Sequence, residues 1–374
     1  MFDAELVEKT KIVEAILEDD LSRDVFRYRL FANLSSDVRF IHALLKKYEL
    51  MDFDNAFYMW NKIRDHYDIY SKYDVITFLK TREIKKDVVL FGAGHDCPMY
   101  ISLLDAAAIL PVAIIDNYAN DNKLCGIKIY RPKDYYGLEE ATVIITSRIN
   151  AKSMYEELRS RGVPKEHIFV PDVNALYIFN QREYFDSDIW TGGENEVYVD
   201  AGAYNLSTVK DFAEFAQSCD RVLAFEPDRL NYELCLDKQR ETNVKNLEII
   251  NKGLWECDTV LHFKRGGDNG TGTAVCEEDD SAISSVPVCS LDSVLNGGRC
   301  SFIKMDIEGS ELMALKGAKE TIKRYNPRLA ICLYHKPEDL IDIPLYIHGL
   351  VPNYKLKIRH YSTWFYDTVL YAYL

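Results

Sequence analysis

The stretch VYVDAGAYNLST, residues 197–208, closes an apolar run with an acid and a glycine. A strand that gives way to a tight turn in this manner is where α/β sheets hold nucleotide-like ligands. A dinucleotide pyrophosphate would ask for G-x-G-x-x-G, and here only Gly202 is present. The following strand, in RVLAFEPD, ends in Glu226, twenty-six residues after Asp200. An acid at the tip of the second strand accepts hydrogen bonds from ribose hydroxyls. The two junctions together therefore ask for a ribose-bearing ligand that lacks a pyrophosphate.

S-adenosylmethionine meets that description. Its methionyl end carries an ammonium and a carboxylate, so an Asp-x-Gly-Ala turn suits it: Gly202 admits the ligand close to the backbone and Asp200 faces the ammonium. The alternation of elements around the turn agrees. Strands are predicted at 197–201, 221–226, 247–252, 301–306 and 328–334, with helices after the first, second and fourth. Two more, 354–360 and 367–373, are separated by so short a link at STWFY that only an antiparallel hairpin fits. This is the plan of a class I methyltransferase sheet, mostly parallel with an antiparallel last strand.

A third junction, FIKMDIEGSELMALKGA (302–318), ends a strand at Asp306 and opens a helix at Glu308-Gly309-Ser310-Glu311. The ordered series VDAGAY, FEP, NKGLW, FIKMDIEGSE, LYHKPEDLIDIP and RHYSTWFYDTVLYAY resembles the FkbM family of S-adenosylmethionine-dependent methyltransferases over roughly 195–374. The resemblance implies transfer of a methyl group to a hydroxyl oxygen, often on a sugar or polyketide-like small molecule. By it, Asp200, Gly202, Ala203 and Tyr204 are the turn at the methionyl end, and Glu226 is the ribose acid, with Pro227 fixing the chain after it. Gly253 and Leu254 lie beside the adenine, and Asp306 faces donor and acceptor. The family's first motif commonly carries a second glycine where this chain has Leu206. Since Leu does not take positive φ cheaply, the turn is expected to differ there.

Methyl transfer needs an acceptor that is aligned and that loses its proton. His335, just beyond the fifth strand, is the expected base because an imidazole titrates near neutral pH, with Asp306 orienting it. Glu308 and Glu311 read as first-turn acids that complement the helix dipole. An acid pair without a supporting histidine is a poor metal site, so no metal is expected. His262, His348 and His360 read as structural; Tyr334, Tyr346 and Tyr361 are candidates to line an acceptor pocket.

The 374 residues are 48% apolar and 28% charged, enough for sizeable cores. A net charge of −14 argues against nucleic acid or a membrane surface as partner. Nine scattered cysteines without a CxxC read as free thiols, and no apolar run is long enough to span a bilayer, so a cytoplasmic protein is expected. Residues 1–85 form a helical N-terminal region, which makes a homodimer an option, and 176–194 a linker before the methyltransferase domain at 195–374.

Between them, 86–175 repeats a strand–helix alternation: LFGAGHDCPMY supplies Gly92 and Gly94, and Asp116 ends the second strand. This weak dinucleotide fingerprint resembles the small Rossmann-like domains that precede sugar-modifying enzymes, where a nucleotide-sugar binds or the domain scaffolds. Two rival readings follow. One is an NAD(P)- or nucleotide-sugar-dependent enzyme working from this first sheet. The other is a non-catalytic assembly protein with a decayed donor site.

Overall fold

The computed structural model describes residues 4–35, 37, 39–50, 79, 87–94, 96–106, 108–147, 150–170, 183–264, 274–275, 283–362 and 365–374. Residues 51–78 of the helical region expected over 1–85 lie outside them, as do Cys276 and residues 176–182 of the expected linker. The chain forms two units, Met1–Arg27 with Asn180–Tyr361 and Tyr366–Leu374, and Tyr28–Phe179 with Ser362–Phe365. The N-terminal helices are α1 (Ala4–Ile16), α2 (Asp20–Ser35) and α3 (Arg39–Lys47). The first 27 residues thus group with the C-terminal sheet rather than with the rest of the helical region. The reason is local: Glu18 N–H donates to Leu356 O, and Leu17 bridges Leu356.

In the unit built around Tyr28–Phe179, β1 (Val88–Phe91), α4 (Cys97–Ala106), β2 (Ala113–Ile115), β3 (Lys123–Leu124), β4 (Ile127–Tyr130), β5 (Thr142–Ile145), α5 (Ala151–Ser160) and β6 (Ile168–Phe169) follow in order. The six strands form one sheet in the order β3-β4-β2-β1-β5-β6, parallel except for the β3–β4 pair. Parallel strands are covered on both faces, which is why they read as unbroken apolar runs. Along β5 the sides alternate: Ile144 packs with Ile41, Leu45 and Leu104, whereas Val143 and Ile145 pack with Ala151 and Leu158 of α5.

The other unit carries β7 (Glu196–Ala201), α6 (Ser207–Phe215), β8 (Cys219–Phe225), α7 (Arg229–Lys238), β9 (Leu247–Ile250), β10 (Gly253–Leu254), β11 (Thr259–Lys264), β12 (Ala274–Val275), β13 (Ile283–Cys289), α8 (Leu291–Leu295), β14 (Phe302–Met305), α9 (Glu311–Lys316), α10 (Lys319–Tyr325), β15 (Arg328–Cys332), α11 (Asp339–Leu350), β16 (Lys355–His360) and β17 (Thr368–Tyr373). Its main sheet runs β16-β17-β15-β14-β7-β8-β9. The five strands β15, β14, β7, β8 and β9 are parallel, and β17 inserts antiparallel between β15 and β16. This is a methyltransferase-like α/β fold with a mostly parallel sheet. The hairpin expected from STWFY is the β16–β17 pair.

A four-stranded sheet, β10-β13-β11-β12, was not anticipated. It is built from the chain between the third and fourth parallel strands. The expected linker is also partly structural: Tyr184, Phe185 and Trp190 are buried. Phe185 and Trp190 join Tyr198, Phe212 and Phe302 in an aromatic core against β7 and β14, in which Tyr198 stacks on Phe212 at 4.0 Å. Among the described residues no helix is long and apolar enough to cross a membrane, and the eight described cysteines are free thiols.

Candidate active site

The carboxyl ends of β7, β8 and β14 lie side by side, because β7 pairs with both of the others in parallel register. This brings Asp200, Glu226 and Asp306 to one edge of the sheet. Gly202 starts the turn after β7 with φ +82°, and a Cβ there would stand 1.9 Å from the carbonyl oxygen of Asp306. Only glycine fits this contact, for reasons of both backbone and space. The turn keeps its left-handed shape further along. Tyr204 has φ 49° and Leu206 φ 64°. The expectation that Leu206 would force a different turn is therefore corrected. Leu206 accepts the left-handed conformation, and its buried side chain offsets a local cost of about 1–2 kcal/mol.

Glu226 closes the turn from the side. Its carboxylate accepts from the Tyr204 N–H at 2.8 Å and the Asp228 N–H at 2.9 Å. Burial pushes its pKa above the ordinary carboxylate value, and those two N–H bonds pull against the rise. Pro227 and Gly253 meet directly, as a Cβ on Gly253 would lie 3.7 Å from Pro227 Cβ and 3.2 Å from Val288 Cγ1. Asn251 ties the same strand ends together by donating to the carbonyls of Glu226 and Pro227. Ala203 and Leu254 are buried, and Tyr204 is exposed.

Asp200 is placed differently from a ligand-facing acid. It is wholly buried, paired with Lys304 Nζ at 3.0 Å and hydrogen-bonded by the Thr208 hydroxyl. Lys304 also donates to the carbonyls of Ala201 and Gly202, at 3.2 and 2.8 Å. Burial alone would lower the Lys304 pKa, but the charges of Asp200 and Asp306 hold it above its ordinary value. The ammonium thus braces the turn from below. Sequence reading missed Lys304, although a lone charge inside the apolar strand FIKM is itself a signal.

Asp306 is held by two tyrosines, accepting from Tyr184 OH and Tyr334 OH at 2.9 Å each. Burial works against its charge, yet Lys304 and His335 nearby keep its pKa below the ordinary value. Tyr184 comes from the segment read as linker, and nothing in its local sequence marks it. Of the other tyrosines, Tyr361 sits in the core, donating to Asp186 Oδ2. His360 is buried against Thr368, and His262 lies beside Ser285.

His335 does meet Asp306, with Nε2 3.4 Å from Oδ1. Its nearest partner is another residue, Glu311, whose Oε1 lies 2.8 Å from Nδ1. Glu308 Oε2 is 3.7 Å from Nε2. Burial would lower the imidazole pKa, but the Glu311 contact and the three carboxylates raise it to about 9. At neutral pH the ring is charged, the state opposite to the one a base needs. Glu311 is likewise no solvated dipole partner. It is fully buried, and its Oε1 also accepts from Ile307 N–H at 2.9 Å.

The left-handed glycine turn, the second-strand acid Glu226 and the fourth-strand acid Asp306 thus share one sheet edge. Residues 200–354 match the methyltransferase FkbM domain. The FkbM match spans Asp200, Glu226, Lys304, Asp306, Glu311 and His335, and leaves out Tyr184 and Tyr361. No curated protein matches the chain. Among solved structures, the chain is similar to methyltransferase FkbM from Methylobacillus flagellatus KT, with 20% identity over 79% of this chain and 92% of that one and a TM-score of 0.46. It is also similar to an rRNA methylase from Streptococcus thermophilus (15% identity, 51% of this chain, 91% of that one, TM-score 0.34). A SAM-dependent methyltransferase from Aquifex aeolicus shows 14% identity over 51% of this chain and 90% of its own, with a TM-score of 0.30.

The first sheet offers less than the FkbM-matching segment. Gly92 is left-handed, with φ 111°. The Asp116 carboxylate is taken up by the N–H groups of Ala93, Tyr118 and Ala119 at 2.6–2.7 Å. Ribose hydroxyls would have to compete with three backbone donors there.

Proposed function

We propose that the protein transfers a methyl group from S-adenosylmethionine to a hydroxyl oxygen of a small molecule or sugar. The observation that carries this reading is the turn Gly202–Leu206, braced by Lys304 and closed by Glu226, at a sheet edge matching the FkbM domain. The turn takes the methionyl end and Glu226 the ribose, while Gly253 and Leu254 flank the adenine. Asp200 acts through Lys304 and the turn carbonyls instead of meeting the ammonium directly.

In the reaction the acceptor oxygen forms a bond to the methyl carbon as the carbon–sulfur bond breaks and the thioether leaves neutral. The hydroxyl proton passes through the ionised Asp306 carboxylate to solvent. Alignment of the acceptor against Asp306 and His335 supplies several kcal/mol of the barrier reduction. The residues 86–175 are assigned a Rossmann-like scaffolding role, with a nucleotide-sugar as the ligand class to try there.

Calorimetric titration of the protein with S-adenosylmethionine, S-adenosylhomocysteine and NAD(P) tests the reading. Binding of the first two, lost in Gly202→Arg, with no NAD(P) heat, is the expected result. NAD(P) binding without donor binding would overturn it. A screen of nucleotide-sugars and glycan fragments with labelled donor then identifies the acceptor.

A further inference from the structure

We propose that Asp306, Glu308 and the Nε2 of His335, which releases its proton to solvent as the ion binds, hold a divalent cation at the carboxyl end of β14, with Glu311 fixing the imidazole through Nδ1. The sequence argued against a metal because its acid pair had no histidine beside it. The fold supplies one. Ligand atoms of Asp306, Glu311 and His335 lie within 4.8 Å of one another.

Nε2 is the shared vertex, 3.4 Å from Asp306 Oδ1 and 3.7 Å from Glu308 Oε2. Two donors at about 2.1 Å from one ion stand roughly 3.0–3.4 Å apart for right-angled to tetrahedral geometry. The Asp306 edge already has that length. The Glu308 side chain is 64% exposed, so it is free to close the remaining few tenths of an ångström. Asp306 keeps accepting capacity, since the two tyrosine hydroxyls use only two of about four lone-pair positions.

On the other side of the ring, Glu311 takes the position of the carboxylate that sets tautomer and orientation in metal-binding histidines. Its Oε2 is buried and has no hydrogen-bond partner among the described residues. The local charge is also unbalanced. Asp306, Glu308 and Glu311 surround one imidazole, while Lys304 is shared between Asp200 and Asp306 and Lys336 is exposed against Gly309. Carboxylate oxygens with one imidazole suit Mg²⁺ or Mn²⁺ and leave coordination positions open. Acceptor hydroxyls fit those positions and would be made more acidic there. That role rests on the methyl-transfer reading, but the cation site itself does not.

Chelator-treated full-length protein is titrated with MnCl₂, following the electron paramagnetic resonance of free Mn²⁺, without donor or acceptor. A single saturable class of site is expected. Glu308→Gln, at an exposed position, should keep its far-ultraviolet circular dichroism and bind about 10–100-fold more weakly, as should His335→Gln. Wild-type protein that leaves the free Mn²⁺ signal unchanged overturns the proposal, and so does equal uptake by wild type and Glu308→Gln. S-adenosylhomocysteine binding is measured on the same samples. Donor binding without Mn²⁺ uptake removes the cation and spares the methyltransferase reading; the reverse result removes that reading and spares the cation.

Discussion

Gly202 and Asp306 touch through their backbones: a single added carbon on Gly202 would stand 1.9 Å from the Asp306 carbonyl oxygen. The first and third junctions of the site are thereby locked in register, so the Gly202 turn cannot shift without moving the acid beside it. Gly202→Ala is expected to lower stability by at least about 1–2 kcal/mol from the left-handed backbone alone, with the clash adding to it. S-adenosylhomocysteine affinity should fall more than about tenfold, which a loss of some 1.4 kcal/mol in fit suffices to produce. Urea denaturation and calorimetry read the two effects separately. Unchanged donor affinity would detach the turn from ligand binding.

Lys304 and Asp200 are both almost fully buried, so their pair is costly to break. Lys304→Met leaves an uncompensated carboxylate and two turn carbonyls without their donor. A loss of about 3–5 kcal/mol is expected. Removing the charge as well, in Lys304→Met with Asp200→Asn, should recover part of it. Denaturation midpoints of the two single variants and the double variant decide this. Additive losses would mean that the pair is no unit.

What could be read in advance follows from what is local. The strands 197–201, 302–305 and 328–332 announce themselves as apolar runs ending in acids or turns, and the hairpin follows from a link too short for a crossover. The β10–β13 sheet was illegible because its strands are partly exposed and carry mixed side chains, as in TVLHFK. Lys304 and Tyr184 were passed over, and Glu311 was read only as a helix-dipole acid, for another reason. Each acquires its role from a partner far along the chain, such as Tyr184 from Asp306, and spacing carries no such information. His335 reads in the sequence as a base, but its charge state depends on Glu311, which looked like an ordinary first-turn acid.

Leu206 sets strain against burial at one position. Leu206→Gly would relieve about 1–2 kcal/mol of left-handed backbone cost. It would also delete a buried leucine side chain, worth about 2–5 kcal/mol in comparable cores. The net expectation is a protein less stable by about 0–4 kcal/mol, with donor affinity within about threefold of wild type because the turn keeps its shape. Urea denaturation and calorimetry again serve. A variant more stable than wild type would show that the leucine's packing does not offset the strain.

Asp19 adds a charged fastening between the N-terminal helices and the C-terminal hairpin, beside the Glu18–Leu356 and Ile358–Ser22 hydrogen bonds. Asp19 receives Arg359 at 2.7 and 3.1 Å and the Ser22 N–H and hydroxyl at 2.7 Å each. Burial would raise its pKa, but the Arg359 and Ser22 hydrogen bonds win and hold it well below the ordinary carboxylate range. A depressed folded-state pKa contributes stability that is present above the unfolded value of about 3.9 and is lost as pH falls toward the folded one. Asp19→Asn should therefore cost about 1–2 kcal/mol at pH 7, and the gap to wild type should narrow steadily below about pH 4. Denaturation of both proteins at pH 7 and pH 3 measures the gap. If it is the same at both, the ionised carboxylate is not what fastens α1 and α2 to β16.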